Sequence, residues 1–78
     1  NRLEDFDPKT SLQEKTLALY KKLPEYLSTD IDDGQEFKVT LLLGGLELAS
    51  AQSFSKKKAQ REVAKIVLKE KKYLGLSI

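Results

Sequence analysis

The chain has 78 residues, 40% of them hydrophobic and 33% charged, and its 14 Lys and Arg against 12 Asp and Glu leave a formal net charge of +2; this length supports one small domain with a modest core. It contains no cysteine, which excludes a disulfide framework and a thiolate metal site, and no histidine, which removes the commonest general base and metal ligand. No apolar run approaches a membrane span, and the start does not read as a signal peptide.

Asn1 is not a natural initiator, so the sequence reads as a piece of a longer chain. Residues 1–7 are expected to form an acidic linker or tail, with Glu4, Asp5 and Asp7, and with Leu3 and Phe6 packing locally. Asp7-Pro8 then reads as a helix start, Asp at the N-cap and Pro at the first helical position. Leu12, Thr16, Leu19 and Leu23, with Ala18 and Tyr20 beside them, suit a helix to about Lys22, and Pro24 stops it.

Glu25 to Ile31 favours a strand through Tyr26, Leu27, Thr29 and Ile31. Asp33-Gly34 between two extended segments is a hairpin signal. Phe37, Val39, Leu41 and Leu43 alternate with Lys38, Thr40 and Leu42, the pattern of a strand with one face on a core. Gly44-Gly45 makes a second tight turn, and Leu46 to Gln52 gives a third short strand. The order predicts an α+β fold, α-β-β-β-α: a three-stranded antiparallel meander with two helices packed on its one apolar face.

The last helix is expected from Ser55 to about Lys72. Ser55 is a good N-cap. On a wheel of about 100° per residue, Ala59, Val63, Ile66 and Val67 share one face, with Ala64 at its edge. Lys57, Lys58, Arg61, Lys65, Lys69 and Lys72 fall on the opposite arc. Residues 55–72 hold eight cations against Glu62 and Glu70, a surplus of six, so the rest of a chain with net charge +2 carries −4. Lysines cost stability at the positive end of a helix dipole. Gathered there with free N–H groups, they suit a phosphate, and the split charge points to a polyanion. A solvated basic face is the plainer reading of the same run.

A search for catalysis comes back empty, since no nucleophile–base pair is visible. Asp30, Asp32 and Asp33 lack the ligand spacing of a calcium loop and read as an acidic turn in solvent. Gly44-Gly45 is not a phosphate loop, because no Gly-Lys-Ser/Thr follows. Gln13 and Glu14 read equally well as plain surface groups of the first helix. No metal and no cofactor are expected.

Several separated blocks, in order, resemble the double-stranded RNA-binding domain. Pro8-Lys9-Thr10-Ser11-Leu12-Gln13-Glu14 resembles the opening of that family's first helix. Leu23-Pro24-Glu25-Tyr26 resembles its strand-entry motif. Phe37, Val39, Leu41, Leu43, Gly44 and Gly45 match its second strand and turn, and Ser55-Lys56-Lys57-Lys58-Ala59 with Val63-Ala64 resembles the signature of its second helix. The resemblance covers residues 8–74 and leaves 75–78 as a C-terminal tail. The stretch Asp7-Pro8-Lys9-Thr10 with Leu12-Gln13-Glu14 is especially similar to the C-terminal RNA-binding domain of ribonuclease III-type nucleases, whose acidic catalytic signature these residues lack.

The resemblance implies non-catalytic binding of A-form RNA across two minor grooves and the phosphates between them. By position, Thr10, Gln13 and Glu14 would meet 2′-hydroxyls and base edges, while Lys56 and Lys57 with the start of the second helix would straddle phosphates. Three departures stand out. The family's third basic position in the second helix is Gln60 here, with Arg61 next door. Three glycines common before that helix are Ala49, Ala51 and Ser53. The loop between the first two strands is short and acidic and lacks the family's Gly-Pro-x-His element, which usually reaches the second minor groove. The partner implied is double-stranded RNA, with help from a second domain or a homodimer partner. The alternative is a degenerate module of the same fold used for protein–protein contact or dimerisation. Nothing argues for secretion or a membrane, so an intracellular location is expected.

Overall fold

A computed structural model of the chain describes residues 7–78. The expected packing of Leu3 and Phe6 lies outside the described residues. Five elements follow one another: α1 (Pro8–Tyr20), β1 (Glu25–Ile31), β2 (Glu36–Leu43), β3 (Leu46–Ser53) and α2 (Lys56–Lys69). The strands form one antiparallel sheet in the order β1-β2-β3, as the hairpin signals predict.

Local chemistry sets most boundaries. Asp7 caps α1, its carboxylate accepting from the Lys9 backbone N–H at 3.1 Å, and Pro8 takes the first helical position. The helix ends at Tyr20, two residues short of expectation, because Lys21 turns left-handed at φ 58°. Gly44 and Gly45, at φ 60° and 81°, supply the two positive-φ residues that a two-residue hairpin of this twist requires.

Ser55 caps α2: its carbonyl accepts from the Ala59 N–H at 2.9 Å, and its hydroxyl lies 3.4 Å from the Lys58 N–H. The helix stops at Lys69 instead of Lys72. Lys71 adopts φ 54°, and the Lys72 N–H reaches back to the Val67 carbonyl at 2.9 Å while the Lys71 N–H donates to Leu68 at 3.2 Å. Those two bonds satisfy carbonyls that the helix would otherwise leave orphaned.

Register places the core. Tyr26 pairs with Leu41, which pairs with Ala49, and Val39 pairs with Ala51, so these side chains share the inner face of the sheet. α2 lies across β2 and β3 and α1 packs against α2. Leu12, Val39, Leu41, Ala59, Val63, Ala64, Val67 and Tyr73 form one buried cluster. The small Ala49 and Ala51 pack against this cluster.

Three expectations about burial change. Ala64, placed at the edge of the apolar face, is fully buried, while Ile66 is only half-buried. Leu19 and Leu23 are 52% and 54% exposed. Helical spacing puts Leu19 on the inner stripe, but it stays exposed, and at this end of α1 it is Tyr20 that bonds residues 73–76. A β-bulge between Leu41 and Leu42 leaves Leu48 without a cross-strand partner and lets it pack on the core beside Ala49. Residues 75–78, expected as a tail, return to the domain: the Leu76 N–H donates to the Tyr20 hydroxyl at 3.1 Å, and Ile78 lies against Gly44.

Candidate nucleic-acid interface

Thr10, Gln13 and Glu14 stand at i, i+3 and i+4 on α1 and are all exposed, which puts them on one face. The Thr10 hydroxyl donates to the Asp7 carboxylate at 3.1 Å. With its proton committed there, its lone pairs remain free to accept. An accepting hydroxyl, an amide and a carboxylate thus share one helical face, a set suited to groups that both donate and accept.

The first three turns of α2 point their charges in two directions. Lys57, Lys58, Arg61 and Lys65 line a shallow groove of about 470 Å³ with Ser55 and Glu62. Four cations against one carboxylate make its potential positive, and the capped N-terminus adds the positive end of the helix dipole. Lys56 and Gln60 lie on the row of the helix nearer the core. The Lys56 ammonium sits 5.4 Å from the centroid of the Phe37 ring, a cation–π contact that seats it over the start of the central strand β2. Gln60 is half-buried, and its side-chain oxygen accepts from the Lys9 ammonium of α1 at 2.7 Å.

Lys9 also lies 5.2 Å from the centroid of the Tyr26 ring. Burial, and then the negative charge of Asp7, push the Tyr26 hydroxyl up to about 12. That hydroxyl is buried and has no hydrogen-bond partner among the described residues. Lys9 and Tyr26 therefore meet where α1, α2 and β1 converge.

Of the residues expected from sequence, Lys57 and Arg61 come together in the groove. Lys56 and Gln60 face a different way, and Thr10, Gln13 and Glu14 form a third set on α1. Sequence reasoning did not single out Lys9 or Phe37. Lys9 meets Gln60 across 51 residues, a separation that no local pattern reveals, and Phe37 reads simply as a core position of its strand.

The loop Asp32–Gln35 is four residues long and exposed, with Asp32 and Asp33 at φ 57° and 56°. Register places it at the end of the sheet where α2 begins, because Phe37 pairs with both Asp30 and Ser53. No group of three His, Cys, Asp or Glu among the described residues is arranged to hold a metal ion, and no described helix is long and apolar enough to cross a membrane.

Comparison with known proteins gives this geometry a family. The model of the double-stranded RNA binding motif matches residues 8–71. Among curated relatives, Ribonuclease 3 of Wolinella succinogenes is 45% identical over 65 residues, covering 80% of this chain and 27% of that protein. Ribonuclease 3 of Campylobacter concisus is 44% identical over 67 residues, 82% of this chain and 30% of that protein. Ribonuclease 3 of Pseudothermotoga lettingae is 41% identical over 71 residues, 86% and 29%. The chain thus spans less than a third of these relatives' length. The solution structure of RDE-4(32-136) superposes with a TM-score of 0.65 at 28% identity, covering 94% of this chain and 73% of that one. With the helix order, the capped basic α2 and the polar face of α1 all in place, the chain belongs to the double-stranded RNA-binding domain family and is a double-stranded RNA-binding module.

Proposed function

We propose that this module docks on A-form RNA with α1 in a minor groove and the start of α2 across the adjoining phosphates. Thr10, Gln13 and Glu14 take the groove: the Thr10 oxygen and the Glu14 carboxylate accept from 2′-hydroxyls, and the Gln13 amide donates or accepts at base edges. Lys56 and Lys57, with Arg61 beside Lys57, take the phosphates. The observation that carries the reading is the Thr10–Asp7 hydrogen bond at 3.1 Å. It turns a hydroxyl into an acceptor on the same face as Gln13 and Glu14, within the helix that contacts α2. The module is further proposed to serve an intracellular ribonuclease III-type nuclease, with binding strengthened by a second domain or a dimer partner. The cutting chemistry belongs to other residues of that protein. The Ribonuclease 3 relatives, of which this chain matches less than a third, support this.

Titration with a duplex of about 20 base pairs, as RNA and as DNA, at two salt concentrations tests the assignment. RNA should bind more tightly than DNA, and affinity should fall steeply with salt, because neutralised phosphates release counterions. Glu14→Ala is the sharp variant. Removing a negative charge strengthens purely Coulombic binding to a polyanion, so tighter RNA binding by Glu14→Ala overturns the groove assignment. Failure to bind duplex RNA at either salt concentration favours the protein-contact alternative.

A further inference from the structure

We infer that Lys9 of α1 supplies the phosphate-binding cation that α2 lacks at Gln60. The inference rests on the docking reading above. Gln60 stands one helical turn beyond Lys56 on the same row of α2 and carries no charge. Its side-chain oxygen holds the Lys9 ammonium at 2.7 Å, so a full positive charge occupies the position from a different element. The Tyr26 ring, 5.2 Å away, bounds the ammonium on another side. An ammonium has three donors. One goes to Gln60 and the ring face needs none in a fixed direction, which leaves N–H groups for a phosphate oxygen.

The arrangement differs from a lysine at position 60 in one respect. The charge rides on the first turn of α1, next to Thr10, so the groove-reading helix and the phosphate-reading helix share a single anchoring point. A lysine on a free surface loses side-chain entropy when it grips a phosphate. Here the amide and the ring restrict Lys9 before RNA arrives.

A purely structural bridge between the helices is the competing role, and the salt dependence of binding separates the two. Lys9→Gln keeps an amide that can bond Gln60 but removes the charge, and Lys9→Met keeps the length and removes both. If Lys9 neutralises a phosphate, each variant lowers the slope of log affinity against log salt by roughly 0.9, and affinity at low salt falls severalfold. Lys9→Met combined with Gln60→Lys returns the charge to α2 and restores the slope. Thermal unfolding monitored by circular dichroism shows whether each variant is folded. An unchanged slope in folded Lys9→Gln and Lys9→Met overturns the inference, whatever happens to stability. Lys56→Ala with Lys57→Ala serves as the reference. If that pair lowers the slope and the Lys9 variants do not, the docking reading stands and the role of Lys9 falls. If that pair also leaves the slope unchanged, the docking reading itself fails.

Discussion

The Tyr20 hydroxyl donates to the Tyr73 backbone carbonyl across 2.8 Å. The same oxygen accepts from the Leu76 N–H at 3.1 Å, so one side chain at the end of α1 fastens the segment that follows α2. Tyr20→Phe removes both bonds and leaves a carbonyl and an N–H in a partly buried place. Each such bond contributes about 1 kcal/mol net, and an orphaned group costs more. The expected loss is ~1–3 kcal/mol in urea denaturation. At this domain size each kcal/mol lowers the melting temperature by roughly 4–8 °C. RNA affinity well below the melting temperature should stay within about twofold, since Tyr20 lies at the opposite end of α1 from Thr10. An unchanged melting temperature would mean that residues 73–76 behave as a loose tail.

How far the sequence carries the reading follows from the range of each interaction. Asp7-Pro8, Gly44-Gly45 and Ser55 act within a few residues, so the caps and one hairpin were legible, and β1 ran where the residues placed it. The alternation through Val39, Leu41 and Leu43 named three fully buried residues. What escaped was long-range or a matter of coverage. Leu19 has the spacing of a core residue, yet periodicity does not say how far a neighbouring helix extends over it. The ends of α1 at Tyr20 and of α2 at Lys69 are followed by left-handed residues that are not glycine, Lys21 and Lys71, and lysine carries no signal for that conformation. In the candidate site, the cations of α2 were visible as a run. The seats of Lys56 on Phe37 and of Lys9 on Gln60 arise only when the sheet and the helices meet.

Tyr26 gives a prediction in pH. Its hydroxyl is raised from 10.0 to about 12, first by burial and then by Asp7. A group whose proton is held more tightly in the folded state contributes stability that is complete below the unfolded value. That contribution is lost as pH rises through the folded value. The wild-type chain should therefore lose stability between about pH 10 and pH 12. The comparison with Tyr26→Phe isolates the phenol. The variant should match or exceed the wild type at pH 7, because it removes a buried hydroxyl with no partner among the described residues, and its loss of stability toward pH 12 should be smaller. Urea titrations at pH 7, 9.5 and 11.5 measure both. Parallel declines in the two proteins would show that the phenol is not held neutral by the fold.

Phe37 is expected to act on binding through Lys56. The ammonium lies 5.4 Å from the ring centroid, a contact that contributes about 0.5–1 kcal/mol at an exposed site. Phe37→Leu keeps an apolar side chain on the inner face of the sheet and keeps the Lys56 charge, but removes the seat. Affinity for duplex RNA should fall by roughly two- to fivefold, less than for Lys56→Ala, with the salt slope unchanged because no charge is lost. Binding as tight as wild type, or tighter, would mean that Lys56 leaves the ring to reach RNA and gains nothing from it.

The last prediction concerns the loop Asp32–Gln35. It stands at the end of the sheet where α2 begins, so it is placed to approach RNA, but it is four residues long and carries two carboxylates. Each carboxylate is repelled by phosphate, although salt screens the effect beyond roughly 8–10 Å. The footprint on a duplex should therefore be shorter than the roughly 16 base pairs usual for such domains, and the affinity of the isolated chain correspondingly low. A second domain or a dimer would make up the difference by raising effective concentration. Asp32→Asn with Asp33→Asn is a clean charge removal. Both residues sit at positive φ, 57° and 56°, and asparagine tolerates that region well, so the turn should keep its shape. A longer graft bearing Gly-Pro-x-His tests reach instead of charge. The graft should tighten binding and lengthen the protected footprint, while the charge removal alone should tighten binding less and leave the footprint as it was. If the wild-type chain already protects the full length and the graft changes nothing, then reach into the second groove comes from elsewhere on the surface and the loop is not what limits it.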